Sequence, residues 1–182
     1  MLSMIDWKRA FLVTTSLAVL LWIIFGFVLP GQGPVLKEWE THNSKFTIRV
    51  QQRRDLYGYM TYWYVFQSSR NGSIVWHEVM RHLYGEPGAF SKEQIRFVSE
   101  DVAFVFFQLK YAVTVNGGSK WTVFDFGENN SFKPEKQGYS RIAEVEMLRN
   151  GTGTLTMFRY DTSQGTVPLF ITYDYGQHWA LK

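Results

Sequence analysis

The chain contains no cysteine, which excludes disulfides, thiolate metal centres, a cysteine nucleophile and a lipidated N-terminal cysteine. Packing alone must hold whatever fold forms. Exported eukaryotic domains of this size often carry disulfides, so their absence points towards a bacterial envelope. Neither sign of charge is in large excess: 19 Lys and Arg stand against 16 Asp and Glu, a net charge of +3. The basic residues are dispersed, with no Lys/Arg block of the kind that binds nucleic acid, and no nucleic-acid partner is expected.

Catalytic signatures are also missing. There is no G-x-S-x-G elbow, and Asp125, Glu128 and Asp161 form no dense calcium-loop pattern. His77 and His82, with Glu78 between them, match no H-E-x-x-H spacing, and on a regular strand residues five apart point to opposite faces. The arginines show no spacing that marks a carboxylate-binding triad. No enzymatic activity, cofactor or metal site is expected, and no residue is assigned a catalytic role.

One long apolar run is present. Residues 10–29 carry no charge, and twenty helical residues cover about 30 Å, the thickness of a bilayer's hydrocarbon core. A cleaved signal peptide would place small residues near its end, where Phe25, Phe27, Leu29 and Pro30 stand instead. The run is expected to be an uncleaved transmembrane anchor over 10–30, with the lipid bilayer as its partner. Lys8 and Arg9 directly precede it, whereas the first basic residue after it is Lys37. Residues 1–9 are therefore expected in the cytoplasm and the rest outside it, as in a single-pass protein of a bacterial inner membrane facing the periplasm. The Pro/Gly segment 31–35 reads as a short linker, leaving 36–182 as one extracytoplasmic domain close to the membrane.

Aromatic residues make up 18% of the chain, and with Val and Thr they crowd its middle, which favours strands. The domain reads as all-β. Segments 46–50, 57–66 and 73–80 form a partial unit over 46–80, in which 57–66 is aromatic on both faces. A meander of four short strands follows over 95–125, and a similar order recurs over 141–181.

The same eight-residue pattern closes both of the later units. Thr114-Val115-Asn116-Gly117-Gly118-Ser119-Lys120-Trp121 and Thr172-Tyr173-Asp174-Tyr175-Gly176-Gln177-His178-Trp179 fit Ser/Thr-x-Asp-x-Gly-x-x-Trp, with Asn116 replacing Asp in the first copy. The carboxylate or carboxamide can accept backbone N–H groups within a turn, glycine permits positive φ, the hydroxyl satisfies a nearby backbone group, and Trp fills the gap between sheets. This resembles the Asp-box (BNR-type) repeat of sialidases, sortilin-type receptors and a photosystem II assembly factor family. The resemblance implies propeller blades and assigns Thr114, Asn116, Gly118, Trp121, Thr172, Asp174, Gly176 and Trp179 a structural role away from any active site. A closed propeller needs four to eight blades. Two Asp-box units and a partial third imply an incomplete one.

A tethered domain without catalytic residues is expected to act by contact. Tyr57, Tyr59, Tyr62, Trp63, Tyr64 and Trp76 are of the types enriched at interfaces and are the candidate contact residues. The expected role is that of an accessory or assembly subunit docking on a membrane protein complex. Alternatives are a periplasmic immunity protein that neutralises a toxin, and a glycan-binding module.

Overall fold

The computed structural model describes residues 32–128, 138–159 and 168–182. The expected anchor at 10–30 and the preceding residues 1–9 lie outside the described residues. Among the described residues, no helix is long and apolar enough to cross a membrane.

The described residues form twelve strands, arranged as three antiparallel sheets of four, each in simple sequential order. The first sheet holds β1 (Gln32–His42), β2 (Phe46–Asp55), β3 (Tyr62–Arg70) and β4 (His77–Tyr84). The second holds β5 (Ile95–Phe97), β6 (Ala103–Phe107), β7 (Lys110–Thr114) and β8 (Thr122–Asp125), preceded by one helical turn at Lys92–Gln94. The third holds β9 (Tyr139–Met147), β10 (Gly153–Arg159), β11 (Pro168–Thr172) and β12 (Ala180–Leu181). The all-β class and the two later four-strand units match the sequence reading.

The first unit does not. Instead of a partial unit over 46–80, a complete four-stranded sheet runs from Gln32 to Tyr84, and residues 32–35, read as linker, open its first strand. The reason is local. Strand β1 carries Gly33 and Pro34 and no regular alternation, and its pairing with β2 slips at Gln32/Val35 and again at Val35/Lys37. An edge strand tolerates proline and bulges because half of its backbone groups need no ladder partner. Segment 57–66 also divides: β3 starts only at Tyr62, and residues 56–61 form a loop.

Alternation in β6 and β7 sends side chains to two cores. Ala103, Val105, Phe107 and Ala112 face the first sheet, packing on Phe46, Ile48, Val50, Tyr64 and Phe66. Phe104, Phe106, Tyr111 and Val113 face the third, packing on Ile142, Leu155, Met157 and Phe170. The second sheet is thus covered on both sides, which is why Ala103–Phe107 is an unbroken apolar run.

A bulge in β4 alters the histidine reading. Phe66 pairs with Met80 but Gln67 with Glu78, so Val79 is extra. His77 lies opposite Ser68 and His82 opposite Tyr64, and the two histidines share one face rather than opposite faces. The pleat is counted again from the bulge onward. His82 sits with its ring edge-on to Phe107, 5.6 Å between centroids.

Candidate interaction surface

The two patterned turns have one geometry. The Thr114 hydroxyl donates to Asn116 Oδ1 at 3.0 Å and accepts the Gly118 N–H at 3.1 Å, while Asn116 Oδ1 also accepts the Lys120 N–H at 2.9 Å. In the later turn, the Thr172 hydroxyl donates to Asp174 Oδ1 at 2.8 Å and accepts the Gly176 N–H at 2.9 Å, and Asp174 Oδ1 accepts the His178 N–H at 3.0 Å. Gly118 and Gly176 have φ of 77° and 82°. A Cβ at Gly118 would lie 2.8 Å from the Phe46 ring, and one at Gly176 would lie 2.4 Å from the Tyr111 hydroxyl. Each turn therefore presses on the sheet that precedes its own, at a distance only glycine allows. Trp121 donates to Ser68 Oγ at 3.0 Å, and Trp179 stands edge-on to Tyr111 at 5.3 Å.

A third copy of the spacing exists in the first sheet and escaped the sequence reading: Ser69, Asn71, Ser73 and Trp76. The signal was the tryptophan at the seventh position after a hydroxyl residue. Its geometry is different, because serine replaces the second glycine and the turn closes one residue earlier, with the Ser73 N–H donating to the Arg70 carbonyl at 2.9 Å. The Ser69 hydroxyl donates to the Val75 carbonyl at 2.7 Å. Trp76 plugs no core: its ring lies under the Arg49 guanidinium at 3.8 Å, on the outer face of the first sheet.

The six aromatic candidates separate into three groups. Tyr64 is not a surface residue; it is fully buried, and its hydroxyl donates to the Glu86 carbonyl at 2.7 Å. Its place on β3 turns it towards Phe107, 4.5 Å away between ring centroids. Tyr62, Trp63 and Trp76 are half-buried. Tyr57 and Tyr59 are 83% and 93% exposed on the loop after β2.

Trp63 and Trp76 belong to an ordered outer face. Arg49 places Nε and Nη2 on Gln67 Oε1 at 3.1 and 2.8 Å, and Arg53 places the same two nitrogens on Gln51 Oε1 at 3.1 and 2.8 Å. Gln51 in turn donates to Glu38 Oε2 at 2.6 Å. Burial first, and then the neighbouring Arg49 charge, lowers the Arg53 guanidinium from its ordinary value. This layer covers Val65, which is only 2% exposed although it points away from both cores.

Elsewhere a cleft of about 450 Å³ lies between the second and third sheets, with Glu93, Arg96 and Gln108 on one side and Arg141, Glu144 and Phe158 on the other. Ser91 there donates to Glu93 rather than to a histidine. Among the described residues, no three His, Asp or Glu side chains gather as metal ligands do. Comparison of the chain with protein-family models, with curated proteins and with solved structures finds no match.

Three titrating groups make stability depend on pH. Burial, then the Lys110 charge, lowers His82 against a smaller opposing effect of Asp125. Burial acts to raise Asp174, but the His178 ring and N–H and the Thr172 hydroxyl outweigh it. Asp55 is held low in the same way by Tyr57, Thr61 and Trp63. In each case the unfolded chain binds protons more readily, so the stability contributed is complete above the unfolded pKa and is lost as pH falls. The urea midpoint is expected to drop below about pH 6.5 through His82, and again below about pH 3.9 through the two aspartates. His82→Gln should abolish the upper step; an unaltered profile in that variant would contradict the assignment.

Proposed function

We propose that the chain is a non-enzymatic, membrane-anchored interaction protein. Its extracytoplasmic β domain docks, as an accessory or assembly subunit, on a membrane protein complex. In this reading the three sheets are blades of an incomplete propeller, and the turns at residues 114–121 and 172–179 are Asp-box turns. The matching hydrogen bonds of the two turns support the second point, and the docking of each turn on the preceding sheet supports the first.

The observation that carries the functional reading is the outer face of the first sheet. Arg49, Arg53, Trp63 and Trp76 are held there by Gln67, Gln51 and Asp55, and no further sheet covers them among the described residues. Tryptophan and arginine dominate the energetics of protein contacts. Side chains already fixed before association also lose less entropy on binding.

The test is extraction of the tagged full-length chain in mild detergent from its native membrane, followed by mass spectrometry. Stoichiometric membrane subunits are expected with the natural sequence, and their loss with Arg49→Glu/Arg53→Glu in a domain that still unfolds cooperatively. Recovery of the protein alone would refute the docking role.

A further inference from the structure

The loop between β2 and β3 contains Leu56, Tyr57, Gly58, Tyr59, Met60 and Thr61, without a charged residue. Four of its side chains stand out into solvent: Leu56 is 59% exposed, Tyr57 83%, Tyr59 93% and Met60 69%. The loop is ordered around Asp55. That carboxylate accepts the Tyr57 N–H at 3.2 Å, the Thr61 hydroxyl at 2.9 Å and the Trp63 indole N–H at 3.3 Å. The Asp55 N–H closes the loop on the Thr61 carbonyl at 3.1 Å, and Met60 takes a left-handed φ of 62°. A buried carboxylate and a strained methionine thus hold four apolar or aromatic side chains outward, where water is a poor solvent for them.

Position says what meets them. Gln32 pairs with Asp55, so the loop starts one residue beyond the point where the chain enters the first sheet. A Cβ on Gly33 would lie 3.0 Å from Leu56 Cδ2 and 2.8 Å from the Arg54 carbonyl, so the entering strand runs directly against the loop. Only Pro30 and Gly31 separate Gln32 from the apolar run that ends at Leu29. Three Cα steps reach at most about 11 Å. The polar layer on each side of a bilayer is about 5–8 Å thick, so Gln32 and the loop beside it stand within a few ångströms of that layer.

We propose that this loop is a second membrane contact, in which Leu56, Tyr57, Tyr59 and Met60 enter the headgroup layer of the bilayer spanned by residues 10–29. The proposal rests on reading that run as a membrane span. Tyrosine suits the layer because its ring is apolar and its hydroxyl polar, and exposed Arg54 beside the loop suits anionic headgroups. Ile74 and Val75, the exposed apolar pair in the β3–β4 turn, lie at the other end of the ten-residue strand β2. That distance, about 30 Å at the rise of a strand, keeps them in water. Two attachments at one end also fix how the domain stands. The outer face of the first sheet then looks sideways, along the membrane, towards a neighbouring subunit.

The absence of native cysteine permits a clean test. The full-length chain, carrying Tyr59→Cys, Ile74→Cys or Leu21→Cys with an environment-sensitive fluorophore, is reconstituted into phosphatidylethanolamine/phosphatidylglycerol vesicles containing lipids spin-labelled both near the headgroup, to reach position 59, and deep in the acyl chain, to reach position 21. Labels at positions 59 and 21 are expected to shift to the blue and to be quenched about fivefold more than the label at position 74, given the interfacial preference of such loops. Quenching at position 21 with none at position 59 would overturn the loop contact alone. No quenching at position 21 would overturn the anchor and the loop contact with it. Protection of position 59 only when a protein subunit copurifies would assign the loop to that subunit and overturn the lipid contact.

Discussion

Replacement of Phe107 by alanine is expected to destabilise the domain by about 4 kcal/mol, within the range for truncating a large buried aromatic. Phe107 is fully buried, and its ring centroid lies 4.5 Å from Tyr64, 5.8 Å from Phe66, 5.9 Å from Tyr84 and 6.1 Å from Phe90. All four partner rings come from outside the second sheet, so the side chain joins the first sheet to the second. The site has little room to collapse, because β6 is held on its other face by Phe104 and Phe106. For a domain of this size the loss corresponds to a fall in Tm of about 10 °C. Urea unfolding should show a lower midpoint with the same slope. An unchanged midpoint would mean that the two sheets do not depend on this contact.

Trp121→Ala and Trp179→Ala are expected to cost about 3 kcal/mol each, towards the lower end for Trp truncation because both indoles are half-buried. Replacement by phenylalanine should separate them. Trp121 donates to Ser68 Oγ, and Ser68 is 1% exposed, so Trp121→Phe leaves a buried hydroxyl without that donor. About 1 kcal/mol should be lost beyond the packing change. The Trp179 Nε1 finds no acceptor among the described residues, so Trp179→Phe removes a buried unsatisfied donor and is expected to be nearly neutral. Chemical denaturation of the four variants measures both contrasts. Equal losses for the two phenylalanine variants would remove the role assigned to Ser68.

The later two sheets were legible because their turns are chemically explicit and their strands lie between them. Residues 95–125 and 141–181 were read as four strands each, and the strands fall there. The first sheet was legible only in its middle. Strand β1 pairs along an edge through two irregularities, and only Gln32, Gly33 and Trp39 of its eleven residues are buried, so no alternation marks it. The segment 57–66 failed for the opposite reason. Nearly every residue there is aromatic or apolar, and composition could not separate an exposed Tyr59 from a buried Tyr64. The capture of Asp55 by Thr61 and Trp63 makes the division, closing a loop before β3 begins.

Interactions within a few residues were determined by the sequence itself. The donors and acceptors of the turns at Thr114 and Thr172 lie within seven positions of one another, so the local chain suffices to make them. Charge, the lack of cysteine and the single apolar run belong to the same class, since none depends on folding. Tertiary structure alone decided which faces are covered, because burial depends on segments far apart in the chain. It placed Phe46 under Gly118 and Tyr111 under Gly176, brought His77 and His82 to one face through the bulge at Val79, and laid Leu56 against Gly33 beside the entry of the chain. A surface becomes an interface only after the core has taken the residues it needs, and that selection is made by packing between sheets.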